Sequence, residues 1–531
     1  MKNIKIYILA LGVFSMTSCS KTFLDSEPIT TITDVNFYKT KTDANKALIG
    51  CYDGLQREWS DGIALPILAE VCSDNTFGGT GNADGLGYQA IDEFDISRSP
   101  SDVDLFNGNW KTCYKAIYRC NMLISKLDQI DWKDDTEARL NTEAEARFLR
   151  AYIYFDMVRT WGNIPLISVP TAENVPQSNP DSVYALIARD LKFAADNMTS
   201  VPYSAAWAAT NDGRVTKWAA KSLLARVYLF YTGYYEGKTD LAGVVTKAEA
   251  LAGLEDVIEQ GGYELLPDYA NLWPAASLTN YAGEGNKETI FAVKYNYTSD
   301  YNGNVDGNQW MVMLGFRNVT KYPYAKGWGA CTVDPKLWDA FSTDDTRKVA
   351  SIISIDGEQM VPNLADQREY TGYIGKKYTP MSNEAGQDLA EALGAVNFQI
   401  GQYEDYVSIR YADVLLMAAE LGSANAQSYF DQVRQRAYKD NFSALTVSKD
   451  NILKERRLEF SGEGIRYWDM LRQGITTAAS IVNETATVLN GGEPATKIVK
   501  GDRLITTKGL QQIPKTQITL SNNVLVQNIG W

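Results

Sequence analysis

The sequence contains no histidine among its 531 residues. This absence excludes Ser-His-Asp and Cys-His nucleophile systems, imidazole general bases and histidine-ligated zinc. The sequence also lacks an HExxH motif, a Walker A loop, and a GxGxxG motif followed by a helix. Only chemistry based on carboxylates, lysine or tyrosine, or on metals with oxygen ligands, remains open.

Cysteine is scarce, and its spacing argues against a disulfide framework. Besides Cys19 there are five cysteines, an odd number that cannot pair completely, and none forms a CxxC motif. Cys113 and Cys120 lie on one predicted helix, ~10 Å apart along its axis, which is too far for a disulfide. We predict that most are small buried hydrophobic residues, with one disulfide at most. The five are Cys51, Cys72, Cys113, Cys120 and Cys331.

Acidic residues outnumber basic ones, giving a net charge of −14 and a pI near 4.8. This balance argues against nucleic acid as a partner, because phosphate binding depends on clustered Lys and Arg. It also argues against electrostatic adhesion to anionic lipid. A hydrophobic content of 45% with 22% charged residues is typical of a globular chain with a substantial core.

The N-terminus has the pattern of a lipoprotein signal. Lys2 and Lys5 lead an apolar run, Ile6–Phe14, which is far shorter than the ~20 residues needed to cross a bilayer and lies where a secretory signal lies. Small and polar residues follow, and then Cys19. The pattern predicts export, cleavage before Cys19, and acylation of that thiol as a membrane anchor. The alternative is an ordinary signal peptide with a chance cysteine.

Three long segments have helical periodicity. In Glu143–Thr160 the apolar residues recur at intervals of four and three, which predicts a helix with one buried stripe, ended by Gly162 and Pro165. Thr216–Tyr231 and Ile409–Leu421 repeat the pattern. Several such helices predict stacked helix-turn-helix pairs of the tetratricopeptide kind. Trp110, Tyr114, Trp161, Trp218 and Trp468 lie on or beside helical stripes and are predicted to be core.

The composition divides the chain into five parts. We predict a signal peptide at 1–18, a lipidated tether at 19–42, an N-terminal helical region at 43–262, a loop-rich lobe at 263–401, and a C-terminal helical region with its tail at 402–531. The expected fold class is therefore mostly α, with a second lobe that is rich in loops and poor in strands.

Five groups of motifs follow one another along the chain, and together they resemble the SusD/RagB family. They are CSKTFLD at 19–25 with Pro28; EARFLRA at 145–151 with GNIPL at 162–166; KWAAKSLLARVY at 217–228; YADVLLMAAE at 411–420 with ERRLEF at 455–460 and EGIRYWD at 463–469; and IP at 513–514 with QNIGW at 527–531. Ile465 and Ile529 stand where the family often has histidine and proline.

The resemblance implies a tetratricopeptide-like α/α superhelix carrying the loop-rich lobe. It also implies a lipid-anchored protein, exposed at the surface of the outer membrane, that binds oligosaccharide and delivers it to a SusC-like TonB-dependent transporter. Family members of this kind bind without catalysis and without a cofactor. Some members bind peptides instead, and this alternative stays open, as does the identity, linkage and chain length of any glycan.

The ligand site is predicted in two segments. From Tyr295 to Trp328 there are eight aromatic residues in thirty-four positions, about twice the chain average of 11%, interleaved with Asn, Asp, Gln and Arg. The glycine-rich segment from Asp74 to Tyr88 is the second, and the family builds its site from these two regions. Rings can bury the CH-rich face of a sugar, while amides and charged groups bond its hydroxyls. The predicted ligand-binding residues are Asn75, Phe77, Asp84, Tyr88, Tyr301, Trp310, Arg317, Tyr322 and Trp328.

The acidic residues allow two other interpretations, a calcium site and a catalytic carboxylate pair, and both have less support than a ligand-binding site. The run from Asn302 to Gly307 has the oxygen spacing of a calcium loop, but Met313 stands where the bidentate Glu should be, so no metal is predicted. Asp344 and Asp345 could be the acid and nucleophile of a surface glycoside hydrolase. Charged turn residues are the ordinary explanation for that pair.

Overall fold

The computed structural model describes residues 37–60, 63–95 and 104–531. These parts of the chain form twenty α-helices and fourteen short strands, so the predicted mostly α fold class is confirmed. The predicted signal peptide, most of the tether and Cys19 lie outside the described residues. None of the described helices is both long and apolar enough to cross a bilayer.

The helices occur mainly before residue 262 and after residue 410. They are α1 Lys41–Ser60, α2 Leu65–Val71, α3 Gly87–Asp92, α4 Asn107–Lys126, α5 Thr136–Trp161, α6 Pro180–Asn197, α7 Ala205–Asn211, α8 Lys217–Tyr234, α9 Lys247–Gln260, α10 Gln309–Met313, α11 Pro335–Ala340, α12 Arg347–Ser351, α13 Leu389–Ala392, α14 Tyr411–Glu420, α15 Ala426–Tyr438, α16 Lys449–Glu459, α17 Arg466–Leu471, α18 Ile475–Val482, α19 Gly501–Thr507 and α20 Lys515–Leu520.

The strands are short, and most of them pair two by two. They are β1 Thr76–Gly79, β2 Ile164–Pro165, β3 Gln177–Ser178, β4 Asp240–Leu241, β5 Val245–Thr246, β6 Thr289–Val293, β7 Phe316–Arg317, β8 Lys326–Gly327, β9 Ala330–Val333, β10 Ile352–Ser354, β11 Tyr373–Gly375, β12 Tyr406–Arg410, β13 Glu484–Asn490 and β14 Glu493–Val499. One sheet has four strands in the order β1-β9-β11-β10, all antiparallel, with Phe77 opposite Thr332.

The three predicted helices are present, with shifted ends. Helix α5 begins earlier than predicted because the Asp135 side chain accepts a hydrogen bond from the Ala138 amide and caps it. It ends where predicted, at Gly162 with φ +69°. Helix α8 is capped by Thr216. The third helix begins at Tyr411 and not at Ile409, because Ile409 belongs to β12, which pairs with β6.

The helical part is built from packed helix pairs. Helix α5 packs on α4 and α6, α8 on α6 and α9, and α14 on α15. Helices α1 and α4 approach especially closely. A Cβ atom at Gly54 of α1 would lie 2.6 Å from the Cβ of Ala116 on α4, so only glycine permits this crossing. This stacking of local pairs agrees with the predicted tetratricopeptide-like scaffold.

One large hydrophobic cluster takes residues from all three predicted segments, for example Leu68, Trp310 and Leu415. The domain boundaries proposed from sequence remain predictions. Trp110, Trp161, Trp218 and Trp468 are buried, as predicted, and Tyr114 packs against the cluster. The five described cysteines are buried, as predicted for small hydrophobic residues.

Buried ion pairs join the N-terminal and C-terminal helices. Arg226 of α8 contacts Asp413 of α14 at 2.6 Å, and Asp413 also binds Arg456 of α16. Because two guanidinium groups face it, the pKa of Asp413 lies well below its usual range despite burial. Arg456 continues the series to Asp469 of α17 at 2.7 Å.

A second buried network surrounds Glu459 at the end of α16. Its carboxylate binds Arg347 of α12, Arg410 of β12 and Arg436 of α15. Glu288, next to β6, binds Arg410 and Arg436 at 3.0 and 2.6 Å. The three cations hold the pKa of Glu459 far below its ordinary value although burial opposes this. The network therefore fixes the loop-rich lobe to the C-terminal helices.

Candidate functional site

The first part of the glycine-rich segment is a buried strand and not a ligand loop. Asn75 is fully buried, and its side-chain oxygen accepts a hydrogen bond from Arg457 at 2.9 Å. Phe77 is buried in β1 against Lys497. Neither side chain is exposed to a ligand in this structure, and Asn75 and Phe77 as ligand contacts remain predictions. Glycine-rich sequence suggested flexibility, whereas the strand is paired with β9 and covered on both faces.

Charged side chains hold β1 in place. The amides of Gly78 and Gly79 donate to Asp92 at 2.6 Å and to Glu369 at 3.0 Å. Lys497 of β14 binds the same two carboxylates, each at 2.6 Å. The β13–β14 hairpin thus holds the base of the segment in place, and its tip, residues 82–86, is the most exposed part.

Trp310 is also a core residue. It is 1% exposed, and its ring lies 5.0 and 5.6 Å from the rings of Tyr378 and Tyr406. The Asn308 side chain caps α10 by accepting from the Met311 amide, and it donates to the Glu404 carbonyl at 2.8 Å. Trp310 is therefore not an exposed ring, and as a ligand contact it remains a prediction. The neighbouring Asn308 satisfies backbone groups of this short helix and of the segment that contains Glu404.

The two predicted segments do meet at the surface, around Arg317. Its guanidinium contacts Asp84 at 3.0 Å in the glycine-rich tip and Asp366 at 2.9 Å. Arg317 is mostly buried, whereas the two carboxylates are 39% and 32% exposed. A rigid cation is therefore held beneath two accessible anions. We call Asn82, Asp84, Arg317, Asn318 and Asp366 the Arg317 surface.

A third segment, residues 363–368, completes this surface and was not predicted from sequence. Asp366 also accepts from the Asn82 amide and the Asn318 side chain, both at 3.1 Å. Arg368 donates to the carbonyls of Asp84 at 2.8 Å and Gly85 at 3.2 Å, and to that of Asn82. The tip is tied down despite its glycines. No motif marks residues 363–368, so tertiary contacts alone bring them here.

Two glycines make room for the Arg317 side chain. A Cβ atom at Gly81 would lie 2.1 Å from a terminal nitrogen of Arg317. Gly329 has φ +75°, and a Cβ there would lie 3.0 Å from the Cβ of Arg317. Gly81 and Gly329 thus permit the close approach of the backbone to the Arg317 side chain.

Aromatic residues extend from the Arg317 surface along neighbouring loops. Trp328 and Tyr88 are partly buried against the core, and the Trp328 carbonyl lies 3.5 Å from Arg317. Lys326 lies 4.3 Å from the ring centre of Phe398, next to Asn397. Asn397 donates to the hydroxyl of Tyr301 at 2.6 Å.

Tyr301 is 69% exposed and Tyr322 is 45% exposed. Tyr322 lies on the turn between β7 and β8. The exposed apolar side chains of Leu393 and Val396 lie on the same loop as Asn397. Tyr88, Tyr301, Tyr322 and Trp328 thus retain the accessibility that the ligand prediction requires, and as ligand contacts they remain predictions.

The segment considered as a calcium loop uses its oxygens internally. Asp300 accepts from the amides of Asn302 and Asn304 at 2.8 and 3.1 Å, and Asn304 accepts from the Asp306 amide at 3.1 Å. Asp345, considered as a glycosidase residue, is buried and pairs with Arg347 at 2.7 Å. These contacts give both groups of acids a structural role.

One acidic cluster has the spacing of a metal site. Carboxylate oxygens of Asp212, Glu284 and Asp405 lie within 4.8 Å of one another. The ammonium group of Lys294 binds all three, at 2.8 Å in the case of Glu284. Burial raises the pKa of Asp405 well above its ordinary value. The lysine thus supplies the positive charge that a metal ion would bring.

Two family models match this chain. The model described as "SusD family" matches residues 366–531, and the one described as "Starch-binding associating with outer membrane" matches residues 67–229. A SusD-like protein from Bacteroides ovatus is 25% identical over 484 residues, which cover 88% of this chain and 82% of the relative. SusD-like protein P25 from Formosa agariphila is 25% identical over 515 residues, covering 89% and 90%.

Solved structures have the same fold. Surface glycan-binding protein A from Bacteroides thetaiotaomicron, in complex with laminarihexaose, has a TM-score of 0.75 and 24% identity, covering 93% of this chain and all of the other. A laminarin binding SusD-like protein has a TM-score of 0.72 and 28% identity, with the same coverage.

Proposed function

Because two SusD-type family models and several SusD-like relatives match this chain, we propose that it is a SusD-like cell-surface lipoprotein that binds oligosaccharide or polysaccharide without cleaving it. In this proposal, it is anchored to the outer membrane through Cys19 and delivers its ligand to a SusC-like TonB-dependent transporter. The observation that carries the binding proposal is the convergence of three loop segments on Arg317.

The Arg317 surface has the chemistry that a saccharide requires. The carboxylates of Asp84 and Asp366 are partly exposed and can accept hydrogen bonds from hydroxyl groups. The side chain of Asn82 is exposed beside them. The contacts of Arg317 and Arg368 fix these groups before ligand arrives, which lowers the entropy cost of binding.

Accessible rings on the loop-rich lobe and at Tyr88 would supply apolar contact. Tyr301 offers a largely exposed ring that its bond to Asn397 holds in place. Trp328 and Tyr88 offer partly exposed rings near Arg317 and Asp84. Burying the CH-rich face of one sugar against one ring contributes about 1–3 kcal/mol, which is a large share of the free energy of a weak glycan complex.

The arrangement of carboxylates supports binding without hydrolysis. Glycoside hydrolases place two carboxyl groups on opposite sides of the scissile bond. Asp84 and Asp366 instead face one guanidinium, which neutralises part of their charge.

Laminarihexaose is the first ligand to test, because a laminarin binding SusD-like protein is 28% identical along 93% of this chain and another similar structure holds laminarihexaose. Calorimetry with laminarihexaose should give a dissociation constant between about 1 mM and 1 μM, or about −4 to −8 kcal/mol. Arg317→Met should reduce binding at least tenfold. Arg139→Met, which removes an ion-paired arginine from α5, is the matched control and should bind normally.

Product analysis after long incubation should detect no shortened glycan. Release of new reducing ends, abolished by one Asp or Glu substitution, would refute the non-catalytic part of the proposal. Binding of peptides in place of every glycan tested would favour the peptide-binding branch of the family.

A further inference from the structure

A polar groove of about 310 Å³ lies on the helical scaffold, built from none of the residues of the Arg317 surface. One wall is a single face of α5, formed by Ala138, Asn141, Thr142 and Glu145 at helical spacing of three and four. The opposite wall is α7, where Trp207 and Asn211 are four residues apart and so project to the same side.

The charged groups at the base of the groove form an ion pair. Arg214 contacts Glu145 at 2.7 Å, and Glu145 also accepts from the hydroxyl of Tyr52. Glu145 is buried, whereas the Arg214 side chain is 36% exposed. A ligand here meets a guanidinium whose charge is already paired, which favours a neutral polar molecule over an anion.

The wall opposite Trp207 is rigid. Asn141 donates to the Thr199 hydroxyl at 3.0 Å, and the Thr199 amide donates back to Asn141 at 2.9 Å. Thr199 in turn donates to Glu137 at 2.6 Å. These reciprocal bonds fix the loop after α6 against α5, so the groove keeps its shape without a ligand.

Two hydrogen-bonding groups on α7 point to a ligand. Asn211 donates to the Trp207 carbonyl at 3.1 Å, and within the described residues its side-chain oxygen accepts no hydrogen bond. Within the same parts of the chain, the backbone amide of Trp207 donates to the Ser204 hydroxyl at 3.2 Å, whereas its indole N–H donates to no protein group. The ring itself is half-buried. An apolar face, an unused donor and an unused acceptor are therefore presented together.

We propose that this groove is a second saccharide-binding site, which takes one or two sugar rings stacked on Trp207. Its volume is at the lower end of the range for small-molecule sites, about 300–1,000 Å³, and it suits a ligand much shorter than a polysaccharide. The neutral base, the half-buried ring and the surrounding amides and hydroxyls fit a polyhydroxylated ring. The choice of ligand class rests on the proposed function, whereas the position of the site does not.

Fluorine NMR of protein labelled with 5-fluorotryptophan separates the two sites, since each tryptophan gives its own signal. Trp207→Phe and Trp328→Phe assign the two signals. Laminarihexaose and then D-glucose, D-mannose and D-galactose are titrated in. We expect the Trp207 signal to shift saturably with at least one sugar. Asn211→Ala should raise the dissociation constant read from that shift about tenfold. Trp132, whose indole is bonded to the Leu127 carbonyl, is the unaffected control.

The outcomes distinguish this inference from the proposed function. A Trp328 signal that shifts while the Trp207 signal stays fixed overturns the second site and leaves the Arg317 surface standing. The reverse result supports the second site and removes Trp328 from the first. A Trp207 shift that grows linearly without saturation, or that Asn211→Ala leaves unchanged, also overturns the second site. Thermal melting of each variant shows that it is folded.

Discussion

Trp310 and Tyr301 come from the same aromatic-rich segment, yet one is 1% exposed and the other 69%. The difference comes from local structure. Trp310 lies on the short helix α10, which turns its ring towards Tyr378 and Tyr406. Tyr301 lies in a turn in which the Asp300 carboxylate accepts hydrogen bonds from the amides of Asn302 and Asn304, and its ring projects outward.

We predict opposite effects of truncating these two rings. Trp310→Ala should lower the free energy of unfolding by about 3–5 kcal/mol, because it opens a cavity in the core. Tyr301→Ala should change it by less than about 0.5 kcal/mol and weaken glycan binding about tenfold. Urea denaturation and calorimetry on both variants decide this. A Trp310→Ala protein that is as stable as the natural protein but binds glycan poorly would identify Trp310 as a ligand contact.

Sequence alone could identify where aromatic residues are dense, but it could not separate exposed rings from buried ones. Asn75 and Asn308 looked like ligand groups, whereas one binds Arg457 and the other caps α10. Arg317 and Asp84 were predicted from regions 233 residues apart and do meet. Their partner Asp366 was missed, because residues 363–368 have neither periodicity nor a motif.

Glu70 is a buried acid whose ionisation opposes folding. It is 4% exposed, and burial raises its pKa from 4.5 to about 7. One oxygen accepts from the Gly464 amide at 2.8 Å, and the other is unbonded within the described residues. A raised pKa in the folded state stabilises the fold below pH 4.5, and this contribution is lost as pH rises through 7.

We therefore predict that Glu70→Gln gains stability relative to the natural protein as pH rises. From pH 5 to pH 8 the difference in unfolding free energy should move by about 2–3 kcal/mol in favour of the variant, since each pKa unit is worth about 1.4 kcal/mol. Urea denaturation at several pH values measures it. Two stability curves that stay parallel between pH 5 and 8 would contradict the prediction.

At the scale of elements, the glycine-rich tip is held by arginines rather than left free. Gly81 borders this tip and Gly85 lies within it, but only at Gly81 would an added Cβ atom meet a guanidinium. A Cβ atom at Gly85 would meet nothing within 4 Å. A substitution at Gly81 can therefore move Arg317 without altering a charged residue, and the same substitution at Gly85 is its control.

Gly81→Ala should displace the guanidinium of Arg317 and weaken glycan binding about tenfold, because a charge-assisted hydrogen bond contributes about 1.5–3 kcal/mol. The melting temperature should change little, since a long side chain can move aside. Gly85→Ala should bind like the natural protein. Equal effects of the two substitutions in calorimetry would show that loop flexibility, and not the position of Arg317, controls affinity.

The elements that could be predicted were those with local signals. Helices α5 and α8 follow from apolar periodicity, and their true starts follow from Asp135 and Thr216 acting as caps. Strand β12 was mistaken for the start of a helix, because its partner β6 lies more than a hundred residues earlier in the chain. A strand stabilised by so distant a segment leaves no short-range pattern.

At the scale of the whole molecule, Glu459 joins the loop-rich lobe to the C-terminal helical region. Glu459→Gln should cost about 3–5 kcal/mol, because it leaves Arg347, Arg410 and Arg436 facing each other with less compensating charge. The depressed pKa of Glu459 means that its stabilising effect is present above the ordinary carboxylate range and is lost as pH falls. Denaturation at pH 7 tests the prediction, and a variant as stable as the natural protein would contradict it.

The predicted anchor also belongs to this scale. Cys19→Ala should move the protein from the outer-membrane fraction to the soluble fraction, because the apolar run Ile6–Phe14 is too short to hold it in a bilayer. Fractionation followed by immunoblotting measures this. Protease added to intact cells should digest the natural protein, and full protection would contradict an outward orientation.

Arg226 and Asp413 lie 187 residues apart in the chain. A ribosome completes α8 long before it reaches Asp413, so the nascent N-terminal helices must either stay open or bury a guanidinium without its counter-charge, which is strongly unfavourable. Helix pairs that are close in sequence can form early. The packing of α8 against α14 has to wait until the chain has been made as far as Asp413. We therefore expect products that end before Asp413 to leave Arg226 without its counter-charge and to be more accessible to proteases than the complete chain.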